Sequence, residues 1–191
     1  MKDTDPEFWD RRYRAGGMPW DFGGLPAALT GWLETERPGR VLIPGCGSGY
    51  EIRSFHERGW DVTAVDFSPA AIERAPKDCG ELLLANFFAY DFGRRTFDVI
   101  YERTFLCSLP PKIWPKYAER MAELLVAGGK LIGFFLYGHE DQPPPYPLPA
   151  GAPLFDADFR RIVDEPVTDS LPLFAGRERW QVWERRHAKG R

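Results

Sequence analysis

The segment Val41-Leu42-Ile43-Pro44-Gly45-Cys46-Gly47-Ser48-Gly49 decides the fold that we predict for this chain of 191 residues. A short apolar run, typical of a buried strand, ends in three glycines at alternate positions, and a segment compatible with a helix follows. Glycine allows a tight turn and removes the Cβ that would meet a ligand, so the pattern favours close approach of the backbone to a bulky cofactor. A second apolar run, Val62-Thr63-Ala64-Val65, ends at Asp66, whose carboxylate could accept hydrogen bonds from a ribose diol.

The spacing of the glycines separates two classes of nucleotide cofactor. A dinucleotide site has the pattern G-x-G-x-x-G, in which the last glycine lets the helix pack against the strand beneath a pyrophosphate. Here the pattern is G-x-G-x-G, and Tyr50 stands where that last glycine would be. The sequence therefore favours a nucleoside cofactor without a pyrophosphate, which is the S-adenosylmethionine pattern of Rossmann-like methyltransferases.

The composition indicates a single domain spanning residues 1–191. Its hydrophobic content of 43% and aromatic content of 15% provide enough apolar surface for a buried core. A net charge of −3 argues against nucleic acid as the main partner, because phosphate binding depends on a basic surface. No run approaches the roughly 18 apolar residues of a membrane span, and no apolar segment follows Met1-Lys2-Asp3 as it would in a signal peptide.

The cysteines indicate a reducing compartment. Cys46, Cys79 and Cys107 are an odd number and lack the spacing of metal ligands. We therefore expect reduced thiols, a cytoplasmic protein and no metal site. The sequence does not indicate an oligomeric state.

The order of the predicted elements indicates an α/β fold. Helices are expected at 25–36, 49–58, 69–75 and 114–125, the last stopped by Gly128-Gly129, and strands at 40–44, 61–66, 82–85, 97–101, 130–136, 159–164 and 178–185. The chain thus reads as five strand–helix repeats followed by two strands with no helix between them. This order predicts a Rossmann-like, doubly wound, seven-stranded sheet with a C-terminal antiparallel hairpin.

Two further segments have unusual compositions. Residues 1–24 are dense in aromatic side chains, and Phe8, Trp9 and Tyr13 fall near one helical face. This segment either docks a leading helix onto the core or forms an aromatic lid whose rings face a cation. Residues 138–153 are rich in proline, which favours a substrate-side loop, although a rigid surface loop would have the same composition.

Four segments together resemble the thiopurine S-methyltransferase family. They are Phe8-Trp9-Asp10 to Met18-Pro19-Trp20, the turn Pro44-Gly45-Cys46-Gly47, the strand end Asp98-Val99-Ile100-Tyr101-Glu102-Arg103, and Pro143-Pro144-Pro145-Tyr146. Residues 102–109 and 129–132 look closer to the branch that methylates thiols, thiocyanate and halides. The similarity runs from about Phe8 to Phe159.

The resemblance implies roles for individual residues. Trp9 to Trp20 would close over S-adenosylmethionine, Asp66 would hold the ribose although the family often carries Glu there, and Asn86-Phe87 would flank the adenine. Arg103 and Trp20 would lie at the reacting groups and form the catalytic set. The full set of expected cofactor contacts is Trp9, Tyr13, Trp20, Gly45, Cys46, Gly47, Gly49, Asp66, Phe67, Asn86, Phe87 and Glu102.

The resemblance implies methyl transfer from S-adenosylmethionine to a small soft nucleophile, namely the sulfur of a thiol or thiopurine-like compound, thiocyanate or a halide. S-Adenosylhomocysteine would be the other product. In-line displacement from a sulfonium carbon depends on alignment and needs no metal. Thiols are partly ionised near neutral pH, and thiocyanate and halides carry no proton, so no strong base is expected. Two alternatives stay open, namely an NAD-dependent oxidoreductase and a protein that binds S-adenosylmethionine without catalysis.

Overall fold

The computed structural model describes residues 5–187, so the first four residues of the predicted lid and the last four of the predicted domain lie outside the described part of the chain. The helices are α1 (Pro6–Ala15), α2 (Ala27–Thr35), α3 (Tyr50–His56), α4 (Pro69–Arg74) and α5 (Trp114–Leu124). The strands are β1 (Arg40–Pro44), β2 (Asp61–Asp66), β3 (Glu81–Leu84), β4 (Phe97–Arg103), β5 (Leu125–Leu136), β6 (Phe159–Pro166) and β7 (Glu178–Arg185). Two short 3₁₀ turns, Leu106–Ser108 and Pro111–Ile113, lead into α5.

The strands form one sheet in the order β3-β2-β1-β4-β5-β7-β6. Neighbouring strands from β3 to β5 are parallel, whereas β7 runs antiparallel to both β5 and β6. The predicted α/β fold, with its seven-stranded doubly wound sheet and C-terminal antiparallel hairpin, is confirmed.

Apolar side chains cover both faces of the sheet, as β1 illustrates. Leu42 belongs to a buried cluster that includes Tyr117 and Met121 of α5. Its neighbours Val41 and Ile43 belong to a second buried cluster, which includes residues of α2 and α3. Successive strand residues point to opposite faces, so an uninterrupted apolar run is what a strand covered on both sides requires.

The expected five strand–helix repeats are wrong in two places. Within the described residues, β5 is followed by β6 without a helix between them. No helix connects β3 to β4 within the described residues, and turns take its place. The Asn86 side chain accepts a hydrogen bond from Phe88 N, and the Asp91 side chain accepts one from Gly93 N. Asn and Asp side chains that bond the backbone two residues ahead favour turns over a helix.

The predicted end of the long helix is also corrected. α5 ends at Leu124, before Gly128-Gly129, and the chain enters β5 at once. Leu125 pairs with Phe97 of β4, and both side chains are buried, so tertiary burial overrides the glycine stop signal. The pairing register shifts between Phe97 and Val99. Their partners in β5 are Leu125 and Lys130, so β5 has more residues than β4 between these two pairs.

Gly133 is the position at which the sheet cannot accept a side chain. It lies in β5 between Glu102 of β4 and Gln181 of β7, with a φ of +150°. A Cβ added here would overlap the carbonyl oxygen of Glu102. β5 therefore requires glycine at this position to pair with β4 and β7.

We predict that Gly133→Ala lowers the free energy of unfolding by more than about 2 kcal/mol, because the clash is with backbone that cannot move aside. Denaturant unfolding followed by circular dichroism measures the effect. Gly31→Ala in α2 is the control, since nothing lies within 4 Å of its added Cβ, and it should stabilise by roughly 0.5–1 kcal/mol. Equal stabilities of wild type and Gly133→Ala would contradict the prediction.

Candidate functional site

The main cavity lies beyond the carboxyl ends of β1, β2 and β4. The strand order reverses between β1 and β4, because the chain builds outward from β1 to β3 and then returns to the other side. Open α/β sheets bind ligands at such a switch point. The cavity has a volume of about 500 Å³, within the range of roughly 300–1,000 Å³ that is usual for small-molecule sites.

Most of the expected site residues meet around two adjoining cavities. The main cavity is lined, among others, by Trp9, Tyr13, Trp20, Gly45, Asp66, Phe67, Asn86 and Phe87. A smaller cavity of about 50 Å³ shares Tyr13, Trp20 and Gly45 with the first and adds Cys46, Gly47, Gly49 and Arg103. Glu102 lines neither cavity.

The glycine turn lies directly against the N-terminal helix. Gly47 has a φ of +53°, and a Cβ added there would come within 2.5 Å of the Tyr13 hydroxyl. Any larger residue would therefore be strained in its backbone and would push Tyr13 away. The turn and α1 together form one wall of the site.

Asp66 joins the turns that follow β1 and β2. Its carboxylate accepts a hydrogen bond from Gly47 N at 3.0 Å and another from Ser68 N at 2.9 Å. Burial raises the pKa of Asp66, while the backbone N–H groups of Ser68, Gly47 and Phe67 oppose that shift. Each oxygen accepts one of these two bonds, and a carboxylate oxygen has a second lone pair.

The N-terminal helix is held to the start of α4. Asp10 accepts hydrogen bonds from Ala70 N at 2.8 Å and from Ser68 Oγ at 3.1 Å. Arg74 donates to the carbonyl oxygen of Tyr13 at 2.8 Å. The Ala70 N–H contributes most to lowering the pKa of Asp10. α1 thus caps α4, in addition to facing the cavity.

Aromatic rings from the N-terminal segment pack edge to face beside the cavity. The Trp20 ring lies 5.3 Å from the Trp9 ring and 6.1 Å from the Tyr13 ring, between centroids. The Arg12 guanidinium lies 5.6 Å from the Trp20 ring and 4.6 Å from the Phe8 ring. Trp20 therefore already has one cation beside it, contributed by the chain itself.

Two phenylalanines form the opposite wall, and sequence reasoning missed both. The Phe88 and Phe105 rings stack with an interplanar angle of 27° and centroids 6.1 Å apart. Phe87, which was expected beside the adenine, is buried and contacts Phe105 edge to face. Phe88 directly follows the expected pair Asn86-Phe87, so the two consecutive phenylalanines could have indicated that Phe88 also lines the cavity.

Arg103 points into the smaller cavity, next to the glycine turn. Its guanidinium lies 4.8 Å from the Phe22 ring and 4.5 Å from the Phe134 ring. Both Nη atoms are buried and have no hydrogen-bond partner among the described residues. The carboxylates of Asp21 and Glu51 line the same cavity. Burial raises the pKa of Glu51, and the nearby charge of Arg103 opposes that shift.

Glu102 supports the loop that follows β4. Its Oε1 accepts hydrogen bonds from Phe105 N and Leu106 N, both at 2.9 Å, and its Oε2 accepts one from Tyr117 Oη at 2.6 Å. Successive strand residues face opposite sides, so Glu102 and Arg103 cannot both face one cavity. Burial raises the pKa of Glu102 to about 7, against the opposing effect of these three donors.

The far half of the main cavity is formed by distant parts of the chain. Pro144 and Pro145 come from the proline-rich segment, and Leu173 and Phe174 come from the connection between β6 and β7. Tyr146 N donates to the carbonyl oxygen of Cys107 at 2.6 Å, which holds the proline-rich segment against this half. No local pattern around residues 173–174 indicates their position.

Within residues 5–187, no group of three or more His, Cys, Asp or Glu side chains is arranged to hold a metal ion. No helix in the same range is both long and apolar enough to cross a bilayer.

We predict that Glu102→Gln removes a pH dependence of stability. The folded-state pKa of about 7 lies above the usual 4.5, so the folded protein holds a proton that the unfolded chain releases, and stability falls as pH rises through this window. Between pH 5 and 8 the wild type should lose roughly 2–3 kcal/mol relative to the variant. Urea unfolding at both pH values measures this difference.

The amide in Glu102→Gln retains an oxygen that can accept hydrogen bonds from Phe105 N and Leu106 N. The loop after β4 is therefore held by residue 102 in both proteins. Glu119→Gln, on the exposed side of α5, is the control for removing a surface carboxylate and should follow the wild type. Parallel pH profiles of wild type and Glu102→Gln would contradict the assignment.

Comparison with known proteins places the chain in a family. The family model described as thiopurine S-methyltransferase matches residues 4–186. The chain is 33% identical over 156 residues to probable thiol methyltransferase 2 of Arabidopsis thaliana, covering 76% of this chain and 69% of that protein. It is 26% identical over 190 residues to thiocyanate methyltransferase 1 of Brassica oleracea, covering 93% and 84% respectively.

Solved structures agree with the fold. The DhpI–SAH complex superposes with a TM-score of 0.74 at 19% identity, covering 98% of each chain. The Burkholderia thailandensis 1,6-didemethyltoxoflavin-N1-methyltransferase, solved with bound 1,6-didemethyltoxoflavin and S-adenosylhomocysteine, superposes with a TM-score of 0.72 at 20% identity, covering 95% of this chain and 87% of that one. The chain belongs to the thiopurine S-methyltransferase family of S-adenosylmethionine-dependent methyltransferases.

Proposed function

We propose that this protein transfers the methyl group of S-adenosylmethionine to a small, soft nucleophile, most simply the sulfur of a thiol or thiocyanate, or a halide. One observation carries the proposal: the glycine turn, Asp66 and the N-terminal rings form one wall of a cavity that continues into an apolar half with room for an acceptor. The relatives named for thiol and thiocyanate methylation support sulfur as the acceptor atom.

The residues present fit an adenosyl group. Asp66 has a lone pair to spare on each oxygen for the ribose diol, beyond the bonds it accepts from Gly47 and Ser68. Asn86 and Phe87 line the same cavity beyond β3, where the family resemblance puts the adenine. Phe67 lies between these two regions in the chain and also lines the cavity.

Arg103 fits the carboxylate at the amino-acid end of the cofactor. Its buried Nη atoms lack partners and open into the cavity beside Cys46, Gly47 and Gly49. The guanidinium packs on Phe22 and Phe134 and lies near Glu51, yet its Nη donors have no hydrogen-bond partner among the described residues, and a carboxylate would supply one. Asp21 and Glu51, on the same cavity, suit the ammonium group. We therefore assign Arg103 to cofactor binding in place of the role at the reacting groups that the resemblance implies, and Glu102 to support of the loop.

S-Adenosylmethionine supplies an electrophilic methyl carbon when it is bound. An ionised acceptor sulfur would take up this methyl group as a thioether, with S-adenosylhomocysteine as the leaving product. The protein contributes alignment, worth up to about 7–11 kcal/mol for a well-oriented pair. Trp9, Tyr13 and Trp20 on one side and the proline-rich segment on the other limit the access of water.

Among the described residues that line the main cavity, no side chain is suited to act as a strong base. Asp66 accepts backbone hydrogen bonds on both oxygens. Burial raises the pKa of both the Tyr13 hydroxyl and the Cys107 thiol above their usual values, so neither is a ready proton acceptor at neutral pH. The acceptor must therefore arrive already ionised. Trp20, which lines the cavity, would limit the directions from which the acceptor can reach the methyl group.

Residues 138–153 are proposed as the substrate-side loop and residues 1–24 as the lid, within one domain of residues 1–191. Pro144, Pro145 and Trp20, which line the cavity, support these roles. We also propose a cytoplasmic location, which the three unpaired cysteine thiols support. Family membership removes the support for an NAD-dependent oxidoreductase.

The decisive experiment is incubation with methyl-labelled S-adenosylmethionine and a panel of thiols, thiocyanate and iodide. Methylated product and equimolar S-adenosylhomocysteine are expected with at least one acceptor. Tight binding of S-adenosylmethionine without turnover of any acceptor would instead show a binding protein that has lost catalysis.

We predict that Asp66→Ala weakens S-adenosylmethionine binding by about 1.5–3 kcal/mol, or roughly 10- to 150-fold in Kd, because hydrogen bonds to a charged group are lost. Isothermal titration calorimetry measures the change. Asp66→Asn retains one side-chain oxygen that can accept a hydrogen bond from the backbone. It therefore tests the same role with a smaller risk of misfolding. Asp61→Ala, at the exposed opposite end of β2, is the matched control. Unchanged affinity in folded Asp66→Ala would refute the role of Asp66.

A further inference from the structure

Thr104, the residue that follows β4, has an uncommon backbone conformation. Its φ is +57°, and every other described residue with a positive φ is a glycine, as in the turn of Gly45, Gly47 and Gly49. In this conformation the Cβ of an L-residue comes close to the next carbonyl oxygen, and a β-branched side chain is an outlier. Threonine therefore strains the backbone at a position where glycine would not.

The neighbouring residues hold this strained conformation in place. Glu102 Oε1 accepts hydrogen bonds from Phe105 N and Leu106 N, both at 2.9 Å, and so fixes the chain directly after Thr104. The Phe105 ring packs on the glycine turn, where a Cβ added at Gly45 would come within 2.5 Å of it. Strained residues persist where the surrounding structure determines their position, and they concentrate at functional sites.

Thr104 lies where the two cavities meet. Within the described part of the chain, the residues common to both linings are Tyr13, Trp20, Gly45 and Thr104. On the proposed function, the adenosyl group of the cofactor lies in the main cavity and its amino-acid end lies in the smaller one. The sulfonium sulfur joins these two parts of S-adenosylmethionine, so its expected place is this junction.

The Thr104 hydroxyl brings an unused oxygen to this junction. Its Oγ1 has no hydrogen-bond partner among residues 5–187, whereas its carbonyl oxygen accepts from Cys107 Sγ at 3.5 Å. For Tyr13, burial raises the pKa of the hydroxyl, and hydrogen bonding from the Trp20 side chain opposes that rise. The indole of Trp20 carries a donor only, and Gly45 has no side chain. Thr104 is therefore the junction residue whose side-chain oxygen is available to a ligand.

We propose that Thr104 is a catalytic residue whose hydroxyl oxygen faces the sulfonium of S-adenosylmethionine and distinguishes this cofactor from S-adenosylhomocysteine. The inference rests on the proposed function and adds a residue to its cofactor site. Carbon atoms bonded to a sulfonium share its positive charge, which strengthens the weak hydrogen bonds that their C–H groups donate to oxygen. The neutral thioether of the product lacks this attraction. The fixed backbone holds the oxygen in position before the cofactor binds.

The test measures the binding of S-adenosylmethionine and S-adenosylhomocysteine by isothermal titration calorimetry. Thr104→Val keeps the branch at Cβ and removes the hydroxyl. In this variant the Kd of S-adenosylmethionine should rise about three- to tenfold, the loss expected for one hydrogen bond, while the Kd of S-adenosylhomocysteine stays unchanged. Thr104→Ser, which keeps the hydroxyl, should retain the wild-type ratio of the two constants.

Thr104→Gly separates a role in binding from a role in folding. Glycine accepts the positive φ without strain, so the Tm of the ligand-free variant should rise by about 2–4 °C. The variant should nevertheless lose the preference for S-adenosylmethionine, as Thr104→Val does. Thr168→Val is the matched control, because Thr168 is exposed in the connection between β6 and β7 and lines neither cavity. It should keep both Kd values.

The outcomes distinguish failure of this inference from failure of the proposed function. If Thr104→Val binds both ligands as the wild type does, or weakens both equally, the role of Thr104 is overturned and the cofactor site stands. A Thr104→Gly variant with a lower Tm and the wild-type Kd ratio would assign Thr104 to folding and overturn the role as well. A wild type that binds neither ligand would overturn the proposed function together with this inference.

Discussion

The buried carboxylate of Asp66 is the constraint on which the rest of the site depends. It bonds the glycine turn after β1 through Gly47 and the turn after β2 through Ser68, and thereby fixes the ends of two central strands relative to each other. A buried carboxylate is stable only when it is well supplied with donors. The backbone N–H groups provide them, and Asp66 also lines the main cavity.

The same network extends to the N-terminal helix. Ser68, whose backbone bonds Asp66, donates its hydroxyl to Asp10 of α1, and Asp10 also accepts from Ala70 at the start of α4. The helix that carries Trp9 and Tyr13 is therefore attached to the turn that carries Asp66. These hydrogen bonds connect the N-terminal helix to the turn that follows β2.

The parts of the site that were predictable from sequence are those with a local pattern. The strand–glycine–helix segment, the acid that ends β2 and the aromatic start each carry their signal within a few residues, and the structure gathers most of them around two cavities. Leu173 and Phe174 reach the cavity through the connection between β6 and β7, a position that no local periodicity encodes. Glu102 was recoverable: strand alternation sets it on the face opposite Arg103, where it binds backbone N–H groups and Tyr117.

The shortage of proton acceptors in the main cavity has a consequence for how such an enzyme would choose among its substrates. With Asp66 assigned to the ribose diol and the pKa values of Tyr13 and Cys107 raised by burial, ionisation of the nucleophile is left to bulk water. On the proposed function, the pH optimum is then a property that each acceptor brings with it. Acidic thiols are favoured over ordinary alkyl thiols by their chemistry before the pocket distinguishes them by shape.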